Sequence, residues 1–341
     1  MAPKFLTGDK AGIDEFLNKF DVFLFDCDDL ERLYARYNEL PLKTTTRSTE
    51  ADDTRRIGVL WSGDHLFEGT KETIEMLRSK GGQYTGHERK SNQLVFVTNN
   101  STKSRADYKK KFDSMGIPCK VEEVFGSAYS AAIYIARILK LEAPKNKVFV
   151  LGESGIEAEL ASENVPYCGG TDSNLRRDMK PEDFTNIANG SALDPDVGVV
   201  LAGLDFNVNY LKLSLAYHYL RRGAVFLATN TDSTLPNSHT LFPGAGSVGA
   251  PLVKAWGKEP LALGKPSQAM MDAVEGKFQF DRSRVCMIGD RLNTDIQFGI
   301  EGKLGGTLAV LTGVSKKEEF LAEDAPVVPS AYVNKLGDLL G

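Results

Sequence analysis

Cysteine is scarce and scattered, with Cys27, Cys119, Cys168 and Cys286 the only four in 341 residues, and they lack the close pairing of a zinc site or a disulfide framework. A reduced cytoplasmic protein is the simpler expectation. No apolar run approaches the roughly 20 residues of a membrane span, and Met1 to Asp9 is not apolar enough for a signal peptide. A basic excess is also missing, since 41 Lys and Arg face 46 Asp and Glu for a net charge of -5. Nucleic acid and anionic membranes are therefore not expected partners. A small anionic substrate stays open, because only the local field of a cleft matters there. No internal repeat is present.

A chain of this length exceeds one ordinary core, so two domains are expected. Short apolar runs recur, each followed by a polar turn and a stretch of helical period: Val22 to Phe25, Leu94 to Val97, Val148 to Leu151, Val197 to Leu201, Val225 to Ala228, Val285 to Ile288 and Leu308 to Leu311. Runs apolar on both faces and separated by helices are what a covered parallel sheet requires, which makes the fold class α/β. Ser104 to Met115 carries Tyr108, Phe112 and Met115 at helical spacing before Gly116 and Pro118. Its lysines, Lys109 to Lys111, read as a solvated face. Two stretches fit less well. Residues 29–57 are dense in charge and threonine, too polar in their later half to order themselves. Gly81 to Asn92 reads as an exposed loop.

Four places carry chemistry. The run Val22 to Phe25 delivers Asp26 and Asp28 to a strand end, where ligands sit in open α/β sheets. Their spacing allows one acid to attack while the other handles a proton, although Asp-x-Asp after a strand also serves as plain turn chemistry. Leu94 to Val97 ends in Thr98, Asn99, Asn100 and Ser101, a hydroxyl and amide cradle for phosphate oxygens or a helix cap at Ser101 or Thr102. Lys265 sits between Gly264 and Pro266, a turn that aims its ammonium at one place. Val285 to Ile288 leads to Asp290, with Asp295 on the next turn. Several acids gathered at one cleft imply a cation, and carboxylates with a substrate phosphate are how Mg²⁺ is usually held.

In this order the four motifs, Asp-x-Asp, Thr-Asn-Asn-Ser, Gly-Lys-Pro-Ser and Gly-Asp-x-x-x-Thr-Asp, resemble those of the haloacid dehalogenase-like phosphatases, in the branch that includes phosphoglycolate phosphatase and para-nitrophenylphosphatase. Phe125 to Tyr129, Val150 to Gly152, Ala228 to Asp232 and Leu311 to Ser315 resemble that branch too. The resemblance implies a Rossmann-like core over 1–145 and 262–341, with a smaller α/β cap over 146–261 inserted between the second and third motifs. It implies Mg²⁺-dependent hydrolysis of a small phosphorylated metabolite such as 2-phosphoglycolate through an aspartyl-phosphate. Asp26 would be the nucleophile and Asp28 the general acid and base. Thr98, Asn99 and Asn100 would hold phosphate with Lys265. Asp26, Asp290 and the Asp28 carbonyl would bind Mg²⁺, with Asp295 orienting the site. A homodimer through the cap is also compatible.

One departure concerns Asp28, which is followed by Asp29 where the family has Gly-Val-Leu-Trp; Gly58-Val59-Leu60-Trp61 comes only after the charged stretch. Skipping residues 29–57 restores the motif, so this stretch is expected to be an insertion, of the kind a retained transcript segment would give. It raises an alternative, a binding protein impaired in catalysis. A mutase of similar core is disfavoured by the large segment after Thr98. Gly244 to Gly249 spells a dinucleotide fingerprint, but Leu241-Phe242-Pro243 stands where a strand should precede it, so a turn feeding a helix is expected.

Overall fold

The computed structural model describes residues 2–27, 58–80, 84–85, 88–89, 92–237 and 240–341. Asp28 and residues 29–57 lie outside them. In chain order the first sheet takes β1 (Lys4–Phe5), β2 (Val22–Asp26), β3 (Gln93–Thr98) and β4 (Val124–Gly126). The second takes β5 (Lys147–Leu151), β6 (Tyr167–Gly169), β7 (Val197–Ala202), β8 (Val225–Ala228) and β9 (Leu261–Ala262). The chain then returns to the first sheet for β10 (Val285–Gly289), β11 (Gly306–Val310) and β12 (Ala331–Val333). Among the described residues the first sheet has seven strands in the order β1-β12-β11-β10-β2-β3-β4, and the second has five in the order β6-β5-β7-β8-β9. Every pairing in both sheets is parallel. Each of the seven apolar runs is a strand, within two residues of its expected ends. The domain limits expected at 145/146 and 261/262 fall just before β5 and inside β9.

Strand alternation sends the residues of β2 into two different cores. Phe23 and Phe25 pack with Phe96, Phe112 and Trp61, whereas Val22 and Leu24 pack with Met270, Met271 and Val274 of the helix Gln268–Phe278. Burial on both faces explains why the run is apolar throughout. Val59, Leu60 and Trp61 are buried in the Phe23 cluster, so the chain rejoins the core directly after residue 57.

Two expectations need correction. Lys111 is buried, its ammonium 4.7 Å from the centre of the Trp61 ring, because it shares a helix face with Tyr108 and Phe112. Lys109 and Lys110 do lie outside, paired with Asp113 and Asp107. Within Gly81 to Asn92, Tyr84–Thr85 and Glu88–Arg89 pair as a short antiparallel hairpin, and Asn92 is buried. No helix among the described residues is long and apolar enough to cross a membrane.

The second sheet is fastened to the first where the helix Ser154–Ser162 meets residues 102–105. Gly155 N–H donates to Thr102 O at 3.2 Å. Glu159 accepts from Arg105 N–H at 2.6 Å and from Arg105 Nε at 2.9 Å. A Cβ at Gly155 would stand 2.5 Å from Lys103 N and 2.6 Å from Thr102 C, backbone atoms that cannot swing aside. Gly155→Ala is therefore expected to destabilise the protein by about 1–3 kcal/mol in urea unfolding. Gly276→Ala is the control: its Cβ would meet nothing within 4 Å on a helix, and a gain of about 0.5–1 kcal/mol is expected.

Candidate active site

Parallel pairing brings the carboxyl ends of β2, β3, β10 and β11 to one edge of the first sheet. Asp26 closes β2 and lies opposite Val97 of β3, and Thr98 closes β3. Asp290 follows β10 directly. Lys265 arrives from the other sheet, three residues beyond β9 and two ahead of the N-cap of the helix Gln268–Phe278. Its ammonium lies 2.5 Å from Asp26 Oδ1 and 2.8 Å from Asp295 Oδ1, and donates to Val97 O at 3.2 Å. Asp26, Asp295 and Lys265 are each no more than 3% exposed, and Asp290 is 7% exposed.

Ligand-capable oxygens of Asp26, Asp290 and Asp295 all lie within 4.8 Å of one another. Among the described residues three buried carboxylates meet one ammonium here, a donor set of hard oxygens that suits a divalent cation. Asp295 also accepts from the N–H groups of Asp290 at 3.2 Å and Arg291 at 3.1 Å, so it fixes the turn that carries Asp290. Cysteine offers no rival nucleophile at Cys119, Cys168 or Cys286. Burial pushes the thiols of Cys119 and Cys286 far up and that of Cys168 up to about 11, so all three are protonated at neutral pH.

The loop after β3 departs from the simplest expectation. The helix that follows starts only at Arg105, capped by Ser104, whose side chain accepts from Asp107 N–H. Ser101 and Thr102 are not its cap, and Asn99 and Asn100 are not at its N-terminus. Asn100 Oδ1 instead closes a turn, accepting from Thr102 N–H at 2.9 Å and from its hydroxyl at 2.7 Å. Thr98 Oγ1 accepts from Asn100 N–H at 3.0 Å and lies 3.2 Å from Tyr108 OH. Of the residues singled out in the sequence, Asp26, Lys265, Asp290 and Asp295 meet directly, and Asn99 joins them through Lys265.

The fingerprint at Gly244 to Gly249 also needs a correction. A strand, Thr240–Pro243, does precede it, but that strand is exposed and paired antiparallel with Thr234–Asn237. A buried parallel strand is what a dinucleotide site would need. Gly246 serves packing, since a Cβ there would fall 2.4 Å from Thr231 O.

The structure adds residues that the motifs did not single out for a role. Leu311 to Ser315, which the sequence marks only by its similarity to the family, grips Asp290: Val314 N–H donates to Asp290 Oδ2 at 2.9 Å and Ser315 N–H to Asp290 O at 3.0 Å. Gly58 joins this loop, its carbonyl accepting from Thr312 Oγ1 at 2.7 Å and its N–H donating to Thr312 O at 3.2 Å. The glycine displaced by the charged stretch thus bonds directly to the loop that holds Asp290. Gly58 has φ +143°, which side chains rarely tolerate. Gly313 passes so close that a Cβ would come 1.9 Å from Asp290 Cβ. Gly313→Ala must move Asp290, and turnover of the small phosphate ester implied by the motifs is expected to fall about 10- to 100-fold. Steady-state kinetics on a variant with unchanged circular dichroism checks this.

Residues 57–166 match the family of haloacid dehalogenase-like hydrolases, and residues 262–339 match the model described as HAD-hydrolase-like. The first match begins at the end of the charged stretch and leaves Asp26 outside it, so Asp26 rests on its strand position and its contact with Lys265. The chain is 46% identical over 326 residues to a 4-nitrophenylphosphatase of Schizosaccharomyces pombe, with 95% of each chain covered. It is 37% identical over 332 residues to phosphoglycolate phosphatase 1A of Arabidopsis thaliana, covering 96% of this chain and 78% of that one. Its fold is like that of a glycerol phosphate phosphatase from Mycobacterium tuberculosis solved in complex with magnesium, with a TM-score of 0.68 and 24% identity over 95% of this chain and 78% of that one. Relatives of that identity matched along nearly the whole of this chain, together with the two family matches, mean that the chain belongs to the haloacid dehalogenase-like hydrolases, in the phosphatase branch of 4-nitrophenylphosphatase and phosphoglycolate phosphatase.

Proposed function

We propose that this chain is a Mg²⁺-dependent phosphomonoesterase acting on small metabolites such as 2-phosphoglycolate, and on para-nitrophenyl phosphate, through an aspartyl-phosphate at Asp26. The observation that carries the reading is the Lys265 ammonium set between Asp26 and Asp295, at 2.5 and 2.8 Å, beside Asp290.

Asp26 and Asp290 supply the hard carboxylate oxygens that suit Mg²⁺; the backbone carbonyl of Asp28, outside the described residues, would add another. When bound, the ion would neutralise charge on the phosphoryl oxygens. Lys265 holds Asp26 by Oδ1, and the Asp26 carboxylate would attack phosphorus. The P–O bond to the leaving alcohol breaks as the new one forms, and Asp28 would hand that alcohol its proton. Asp28 would then take a proton from a water that attacks phosphorus, releasing orthophosphate and restoring the Asp26 carboxylate. Thr98 and the backbone N–H of Asn99 would hold the phosphoryl oxygens. The Tyr108 hydroxyl, 3.2 Å from that of Thr98, would orient it. Asn100 would contribute by shaping the loop, since its side chain closes the turn to Thr102. Lys265 would stabilise the charge that phosphate and Asp26 share in the transition state. The second sheet would act as the cap that excludes water and selects the leaving group.

Asp26→Asn is expected to lower phosphate release from para-nitrophenyl phosphate by at least about a thousandfold. Chelation of divalent ions should silence the wild-type chain, and added Mg²⁺ should restore it. Release by the Asn variant at the wild-type rate would mean that the nucleophile lies elsewhere.

A further inference from the structure

Ala228 to Asp232 leaves the carboxyl end of β8 and has no part in the chemistry above, yet it reaches the catalytic lysine through one amide. Asn99 Oδ1 accepts from Lys265 N–H at 2.7 Å, and Asn99 Nδ2 donates to Lys265 O at 3.0 Å. The side chain therefore grips the Lys265 backbone as a neighbouring strand would. The same Nδ2 group donates to both carboxylate oxygens of Asp232, at 3.1 and 3.3 Å. Asn230 adds a second tie, donating to Asn99 O at 2.7 Å and accepting from Asp232 N–H at 3.1 Å. Asn99 is 4% and Asn230 5% exposed, so water cannot readily replace these bonds.

A carboxylate can only accept, so Asp232 dictates that the NH₂ end of Asn99 faces it. The carbonyl end is then left facing Lys265 N–H. The N–H and C=O of Lys265 favour the same orientation, and Asp232 adds two further acceptors that keep the Asn99 Nδ2 group from rocking away from Lys265. We infer that Asp232 is a positioning residue, which fixes the Asn99 amide and through it the placement of Lys265 against Asp26. The inference rests on the phosphatase reading, and it makes the second sheet part of the catalytic frame.

The test compares Asp232→Ala and Asp232→Asn with wild type in steady-state hydrolysis of para-nitrophenyl phosphate under saturating Mg²⁺. Melting temperature and hydrogen exchange of the Asn99 side-chain amide by NMR are measured on the same samples. Misplacing a group that acts on transition-state charge should show in kcat, so the Ala variant is expected to lose about 10- to 100-fold there. Its KM should move less than about threefold. The Asn variant keeps an acceptor oxygen and should recover much of the loss, while exchange at Asn99 should quicken in the Ala variant. An Ala variant with wild-type kcat, a kcat loss explained by melting, or equal loss in both variants would overturn the inference. Should wild type release no phosphate, the phosphatase reading fails instead, and unchanged Asn99 exchange in the Ala variant would still refute the clasp.

Discussion

The Lys265 ammonium, buried between Asp26 and Asp295, is the interaction on which the rest of the site depends. Stripping one partner from a buried pair typically costs about 3–5 kcal/mol, so charge as well as packing holds the lysine in place. Asp290 shares the same few ångströms, which completes a cluster of hard oxygen donors. Such a cluster suits the divalent ion that the proposed reaction requires.

Topology brings the pieces together. Three parallel strand ends place Asp26, Thr98 and Asp290 on one edge, and only the return of the chain from β9 brings Lys265 across. The lysine therefore records the position of both sheets at once. Its backbone is held by Asn99 of the first and, through Asn99, by Asp232 of the second. The loop Thr312 to Ser315 does the same for Asp290 from the other side, and Gly58 rests on it. The glycine that follows the charged stretch is thus seated at the rim of the site despite its distance along the chain.

Much of this was legible in the sequence because the parallel sheet forces its strands to be apolar on both faces, which made β2, β3, β5, β7, β8, β10 and β11 visible as runs. Asp26 and Asp290 stood out because each lies at the end of such a run. What stayed hidden depends on tertiary packing. Lys111 looks like its solvated neighbours until the helix face that it shares with Phe112 is set on Trp61. The strand ahead of Gly244 was masked by a proline that an exposed antiparallel ribbon tolerates. Asp232 and Val314 carried no local sign of their partners, which lie 133 and 24 residues away. Only the wider stretches around them, similar to the family, marked them out.

The proposed mechanism requires that Asp26 itself be phosphorylated during turnover, and chemical trapping can reveal that bond. Borohydride reduces an acyl phosphate on aspartate to homoserine, so the chain quenched during steady-state hydrolysis should carry homoserine at position 26 in its peptide mass spectrum. Homoserine at another aspartate, or none while phosphate is being released, would exclude Asp26 as the nucleophile.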